Sequence, residues 1–201
     1  MTQPSDATQD LEARITRLEH RVVTDGAVDA DALQAPPPQR SEPPWLDGAR
    51  VVVRAWRDAE FRARLLIDPK AALAELGMQV SDGHNGDPAF QVVANTEAIH
   101  NEIVCTLCSC YPRGLLGPPP DWYRSEEYRA RVVKEPRAVL REFGLEVPAA
   151  KTVQVWDSTA DLRYMVLPQP PEDLGSFEDQ ALLELISPEV LVGTREPVIR
   201  T

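Results

Sequence analysis

FRARLLIDPKAALAELG at residues 61–77 and YRARVVKEPRAVLREFG at residues 128–144 are two copies of one pattern. Eight of their seventeen positions are identical, and these include an internal proline and the final glycine. The likeness continues beyond them, because FQVVANT at 90–96 resembles VQVWDST at 153–159 and another apolar stretch follows each. Matched order and spacing across several segments indicate an internal duplication.

Each copy predicts two helices followed by two strands. Pro69 and Pro136 suit the first turn of a helix, and Gly77 and Gly144 suit the position just after a helix. The segments beyond are rich in β-branched residues and contain Asn-Thr or Ser-Thr turns, a pattern that favours a strand, a turn and a second strand. The sequence therefore predicts an α/β fold: a layered α-β-β-α domain in which strand hairpins pack together with helices outside.

The region before the duplication predicts a helical N-terminal arm. Apolar residues recur there at helical spacing and form one stripe, which predicts that the helix lies on its own domain or on another subunit. The proline-rich stretch APPPQRSEPPW is typical of a semi-rigid linker. The expected organisation is an arm over 1–34, a linker over 35–47 and a domain over 48–201. The stripe consists of Leu11, Ile15, Leu18 and Val22.

Composition narrows the class of partner. A net charge of −11 over 201 residues argues against nucleic acid or an anionic membrane surface. No apolar run approaches the roughly 18 residues of a membrane span. The N-terminal residues lack the basic and apolar regions of a signal peptide, so we expect a cytoplasmic protein that binds neither nucleic acid nor membrane.

All three cysteines lie within CTLCSC at residues 105–110, which we call the cysteine loop. Cys105 aligns with Pro168 of the second copy, so the cysteine loop leaves the end of a strand in one copy only. Clustered thiols in a reducing compartment favour metal binding or catalysis. A structural zinc site and an iron–sulfur cluster each lack a fourth ligand here, and a disulfide with one free thiol leaves the Cys-Ser-Cys step unexplained.

The short Cys108-Ser109-Cys110 step offers a further arrangement. Two thiolates that flank a short peptide can chelate a metal ion together with the backbone nitrogens of Ser109 and Cys110. Cys105 would then cap one side of the ion, and the opposite side would stay open to water or substrate. This arrangement suits a small trivalent cation.

The cysteine loop also resembles a known motif. VCTLCSCY at 104–111 is similar to the metal-binding signature of the nitrile hydratase α subunit family, which includes the thiocyanate hydrolase catalytic subunit. PPDWYRSEEYRARVVKEPRAVLREFG at 119–144, VWDSTADLRYMVLPQ at 155–169 and GARVVVRAW at 48–56 also resemble family stretches. The resemblance extends over about residues 48–194.

The resemblance implies a ligand set and a cofactor. Cys105, Cys108 and Cys110 would bind the metal through sulfur, and Ser109 and Cys110 through backbone nitrogen. Cys108 would be oxidised to a sulfinate and Cys110 to a sulfenate, and these two residues would take part in catalysis. Thr106, in C-T-L-C-S-C rather than C-S-L-C-S-C, implies low-spin non-corrin cobalt(III) rather than iron(III).

The resemblance also implies partners. Members of the family hydrate a small-molecule nitrile to the amide. A β-type subunit completes the active site in a heterodimer or heterotetramer, sometimes with split accessory subunits. An activator protein inserts the metal. Three thiolates and two amide anions outweigh a trivalent ion by two charges, and Arg113 is the one nearby cation, so we expect the partner to supply arginines. The candidate pocket residues are Thr106, Arg113 and Trp122. Arg113 stands where many family members have tryptophan, and Trp122 and Tyr123 suit packing under the cysteine loop.

Three functions follow from these features. The first is the catalytic subunit of a cobalt nitrile hydratase, which is a lyase. The second, in the same family, is a thiocyanate hydrolase subunit. The third, of another class, is a non-catalytic thiolate module that binds metal or cycles a disulfide.

Overall fold

The chain is described here by a computed structural model, which covers residues 6–27, 42–81 and 86–198. The chain divides into two compact units between Ser41 and Glu42. The first unit contains helix α1 (Asp6–Thr24), which confirms the helical arm. Ile15 and Leu18 of its apolar stripe are exposed, whereas the side chain of Leu11 and the predicted linker up to residue 41 lie outside the described residues.

The second unit holds the duplicated region. Its first helix, α2, begins two residues before the boundary that the sequence places at Gly48. None of the helices in the described ranges is long and apolar enough to cross a membrane. In chain order its elements are α2 (Leu46–Arg57), α3 (Ala59–Ile67), α4 (Pro69–Glu75), β1 (Ala89–Ala94), β2 (Ile99–Val104), α5 (Arg113–Leu116), α6 (Asp121–Arg124), α7 (Glu126–Val132), α8 (Pro136–Glu142), β3 (Thr152–Asp157), β4 (Leu162–Leu167), a 3₁₀ turn (Leu174–Ser176), α9 (Asp179–Glu184) and α10 (Pro188–Val192).

The two helix pairs match residue by residue. Arg64 pairs with Glu75 at 2.9 Å between α3 and the end of α4, and Arg131 pairs with Glu142 at 2.5 Å in the second copy. The prolines open α4 and α8, and the glycines that follow both helices have positive φ. The large apolar side chains at equivalent positions are buried in both copies, so the duplication extends to the core. These buried pairs are Phe61 and Tyr128, Leu65 and Val132, and Leu73 and Leu140.

The predicted strand hairpins are wrong. β1 pairs with β4 and β2 pairs with β3, both in parallel, so each two-stranded sheet takes one strand from each copy. The exchange continues into the turns. Asn95, just after β1, donates its backbone N–H to Leu167 of β4 at 2.9 Å, and the equivalent Ser158 donates to Val104 of β2 at 2.7 Å. The first strand of each copy therefore bonds to the other copy, and the first residue of the turn that follows it continues this bonding.

Helices cover the strands on the outside, as the layered α/β prediction expects. α3 and α4 pack on β1, α8 packs on β3, and α10 packs on β2 and β4, which also contact one another. The last five residues of β2 are buried. This buried strand leads directly into the cysteine loop, so the core fixes the point from which the loop departs.

Gly193 closes the second unit against β2. Its φ of +85° is in the left-handed region, and a Cβ atom there would overlap the backbone carbonyl of Asn101. Gly77 has a similar φ of +68°, but a Cβ atom added there would have no neighbour within 4 Å. Both glycines adopt the left-handed backbone conformation, but only Gly193 also lies too close to a neighbouring backbone for a side chain to fit.

We predict that Gly193→Ala destabilises the protein more than Gly77→Ala. The matched control carries only the left-handed penalty of about 1–2 kcal/mol, whereas Gly193→Ala must also move β2 or α10. Urea unfolding of both variants measures the difference. Equal losses of unfolding free energy would contradict the close approach.

Candidate metal centre

The cysteine loop leaves the sheet at the end of β2. Val104, the last residue of β2, lies opposite Asp157, the last residue of β3. Asp157 accepts two hydrogen bonds from Thr106: one from the backbone N–H at 2.9 Å and one from Oγ1 at 2.6 Å. Arg129 of α7 donates to the backbone carbonyl of the same Thr106 at 3.2 Å. The first turn of the loop is thus held from both sides.

The three thiols converge. All three sulfur atoms lie within 4.8 Å of one another. Cys108 Sγ is 3.4 Å from Cys105 Sγ and 3.2 Å from Cys110 Sγ, and the Cys108 N–H donates to Cys105 Sγ at 3.3 Å. Cys105 and Cys110 are buried and Cys108 is exposed, so the cluster is closed on the protein side and open on one other side. Ser109, half-buried, lies between the two later thiols.

The pKa values of two of the thiols are shifted by the neighbouring thiols. Hydrogen bonds, above all from Cys110, lower the pKa of the Cys108 thiol. Burial and the neighbouring thiols raise the pKa of Cys110 to about 12. Like charges this close oppose each other, so without a cation the thiols do not all ionise at neutral pH. A metal ion that displaces the protons removes this conflict, and the donor set therefore fits a thiolate-bound metal.

Two tyrosine hydroxyl groups bind backbone carbonyls in and just before the cysteine loop. Tyr123 donates its hydroxyl to the Cys110 carbonyl at 3.1 Å, and Tyr128 donates to the Ile103 carbonyl at 2.8 Å. Trp122 packs edge-on against Tyr128 and Phe143, with ring centroids 5.1 and 4.8 Å apart. Trp122 therefore lies in the aromatic layer that carries the cysteine loop.

Two arginines line one small cavity beside Tyr111, the residue that follows the last cysteine. Arg113 opens α5, three residues after the last cysteine, and lines a small cavity together with Tyr111 and Arg163. Arg163 of β4 is buried, donates to the Thr159 carbonyl, and opposes through its positive charge the effect of burial on the pKa of Cys110. Arg113 was identified from the sequence, whereas Arg163 was missed.

Two further residues that hold the site were also missed. They are Asp157 and Arg129, which both bind Thr106. The signal for Asp157 was its position in the repeat, because it stands at the end of a strand. That signal could be used only with the knowledge that β2 and β3 pair.

The fold is a mixed α/β domain in which one strand ends in three convergent thiols, a group that could hold a metal ion. The family model described as nitrile hydratase, alpha chain, matches residues 9–195. The chain therefore belongs to the nitrile hydratase alpha chain family, which confirms the resemblance of the cysteine loop.

The chain is similar to curated and solved members of this family. It is 39% identical over 193 residues to the low-molecular weight cobalt-containing nitrile hydratase subunit alpha of Rhodococcus rhodochrous, covering 95% of this chain and 91% of that one. It is 37% identical over 159 residues to the thiocyanate hydrolase subunit gamma of Thiobacillus thioparus, covering 76% and 65%. A double mutant of the Fe-type nitrile hydratase from Comamonas testosteroni Ni1 superposes with a TM-score of 0.82 at 35% identity, covering 96% and 92%.

We predict that Asp157→Ala releases the first turn of the cysteine loop. The Thr106 amide loses its acceptor, so its hydrogen exchange accelerates severalfold; a net hydrogen bond of about 1 kcal/mol corresponds to roughly a fivefold change. NMR of the metal-free chain measures the rate of hydrogen exchange at the Thr106 amide. The control Asp161→Ala removes an exposed carboxylate from the turn before β4 and leaves Thr106 exchange unchanged. Equal exchange in both variants would contradict the role of Asp157.

Proposed function

We propose that this chain is the metal-binding, catalytic α subunit of a nitrile hydratase that converts a small nitrile to its amide at low-spin non-corrin cobalt(III). The observation that carries the proposal is the convergence of three thiols at the end of β2 in a chain of this family. Thr106 and the cobalt-containing relative at 39% identity favour cobalt over iron(III).

The proposed ligands are the sulfurs of Cys105, Cys108 and Cys110 and the backbone nitrogens of Ser109 and Cys110. When bound, the cation supplies Lewis acidity that polarises a nitrile or activates water. Cys108 would carry a sulfinate, and its exposure and lowered pKa support it as a readily oxidised thiolate. Cys110 would carry a sulfenate whose oxygen serves as nucleophile or general base.

Charge supports a partner subunit. The ligand set carries five negative charges against three positive ones, an excess of two. Arg163 provides one buried cation at Cys110, and Arg113 lies on the same cavity. Arginines from a β-type subunit would balance the face that the chain leaves open, where the Leu107 side chain is 84% exposed. We infer a heterodimer or heterotetramer in the cytoplasm, loaded by an activator protein.

We predict that the chain co-expressed with its β-type partner and activator contains stoichiometric cobalt. Mass spectrometry of the peptide with the cysteine loop should find two oxygens added to Cys108 and one to Cys110. Cys110→Ala abolishes cobalt binding because it removes a sulfur ligand. Ser109→Ala, the matched control, keeps cobalt because Ser109 binds through its backbone nitrogen.

Two results would contradict this proposal. Zinc with unmodified thiols would identify the chain as a non-catalytic thiolate module. Loss of cobalt in Ser109→Ala to the same extent as in Cys110→Ala would contradict the backbone ligand.

A thiocyanate hydrolase subunit is the second candidate. The relative from Thiobacillus thioparus supports it, and so does the buried guanidinium group of Arg163, whose charge acts on Cys110, since thiocyanate is an anion. The assembled complex assayed with nitriles and with thiocyanate separates the two functions. Ammonia and carbonyl sulfide form from thiocyanate alone, whereas a nitrile hydratase yields the amide.

We predict that Arg113→Trp narrows the pocket beside the metal. A large ring in place of a flexible side chain should lower kcat/KM for bulky nitriles several-fold more than for small ones. Steady-state kinetics on a nitrile panel give this ratio. Arg62→Trp, at an exposed position of α3, serves as the control, and an unchanged ratio in Arg113→Trp would remove Arg113 from the pocket.

A further inference from the structure

Glu102 is a carboxyl group in the core. It lies on β2, three residues before the first cysteine, and its side chain is fully buried. Neither of its oxygens has a hydrogen-bond partner that satisfies normal geometry among the described residues. An ionised carboxylate in such a place is strongly unfavourable unless it is paired.

The groups that surround Glu102 carry no compensating charge. Val155 of β3 lies opposite it in the sheet, and the backbone of Gly193 approaches its Cα. His100, on the same strand, directs its ring nitrogens to the Gly193 carbonyl and to Glu196. Within the described part of the chain, no arginine, lysine or histidine forms an ion pair with Glu102. Among the described residues, the one titratable group that acts on it is the Tyr128 phenol of α7.

The hydrogen-bond direction at Tyr128 decides which form of Glu102 fits. A phenol has one proton, and Tyr128 donates that proton to the Ile103 carbonyl at 2.8 Å. Its oxygen can then only accept a hydrogen bond from Glu102. Glu102 can donate one only when its carboxyl group is protonated.

We propose that Glu102 is a neutral carboxylic acid that donates to Tyr128 and, through the Glu102–Tyr128–Ile103 chain of hydrogen bonds, positions the end of β2 that delivers Cys105 to the metal centre. Arg129, the next residue of α7, holds the Thr106 carbonyl, so one helix fixes the strand and the cysteine loop together. Glu102 acts through Tyr128 and is a positioning residue. The protonation state of Glu102 goes beyond the proposed function and holds with or without the metal.

The neutral acid gives stability a defined pH dependence. Burial raises the pKa of Glu102 from its ordinary value of 4.5 to about 9. Between these two values the folded chain keeps a proton that the unfolded chain has lost. The folded-to-unfolded ratio therefore falls by about tenfold per pH unit as pH rises from 4.5 to about 9, relative to a variant that cannot ionise.

The first test compares Glu102→Gln with the exposed-residue control Glu97→Gln in the metal-free chain. Glutamine keeps the shape of Glu102 and an N–H donor for Tyr128. Infrared spectra should contain a protonated-carboxyl band at neutral pH that Glu102→Gln removes and Glu97→Gln keeps. Denaturant unfolding gives the folded-to-unfolded ratio of each variant. As pH rises from 4.5 to about 9, this ratio in Glu102→Gln should increase about tenfold per pH unit relative to the wild type. No band and equal pH slopes would overturn the neutral acid.

The second test addresses positioning in the assembled, cobalt-supplied complex. Glu102→Val and Tyr128→Phe remove the donor or the acceptor and should shift the sulfur-to-metal charge-transfer band, whereas Glu102→Gln should leave it in place. In the metal-free chain, Thr106 amide exchange should follow the same order. A Glu102→Gln shift as large as that of Glu102→Val, or no shift in any variant, would overturn the positioning role.

Discussion

Three thiols within 4.8 Å of one another cannot all ionise unless a cation lies among them. The rest of the site serves this constraint. Burial and crowding raise the pKa of Cys110 to about 12, so the cluster retains protons when no cation is bound. Metal binding exchanges those protons for one multivalent ion, and the free energy of that exchange depends on sulfurs that are already held together. Tyr123, bonded to the Cys110 carbonyl, provides part of this preorganisation.

The duplication explains why a rigid support and a functional loop occur at equivalent ends of the fold. β2 and β4 are equivalent strands, and each is buried and paired in parallel with a strand of the other copy. After β4 the chain continues with Pro168, whose carbonyl accepts a hydrogen bond from the Trp56 indole at 2.9 Å. After β2 it continues with Cys105. One copy thus closes the core, while the other uses the same strand end to present the three thiols.

Local patterns made most of the helices and the cysteine loop predictable from the sequence. The two helix pairs follow from a repeated proline and glycine spacing, and CTLCSC is specific enough to indicate both its chemistry and its family. The strand pairing was not predictable, because a turn such as Asn95–Ala98 favours a hairpin locally. The parallel pairing with β4 depends on contacts that are distant in sequence, such as the bond from Asn95 to Leu167. Arg163 and Asp157 were missed for the same reason, since both reach the site through strands that pair across the copies. Glu102 gives no sequence signal, because only burial distinguishes it from a surface glutamate.

X-ray absorption at the cobalt edge of the assembled complex tests the central claim most directly. Sulfurs and two deprotonated backbone nitrogens around one trivalent ion predict a first shell with both sulfur and nitrogen scatterers at short distances. A first shell of sulfur alone, in a four-coordinate divalent site, would contradict the account.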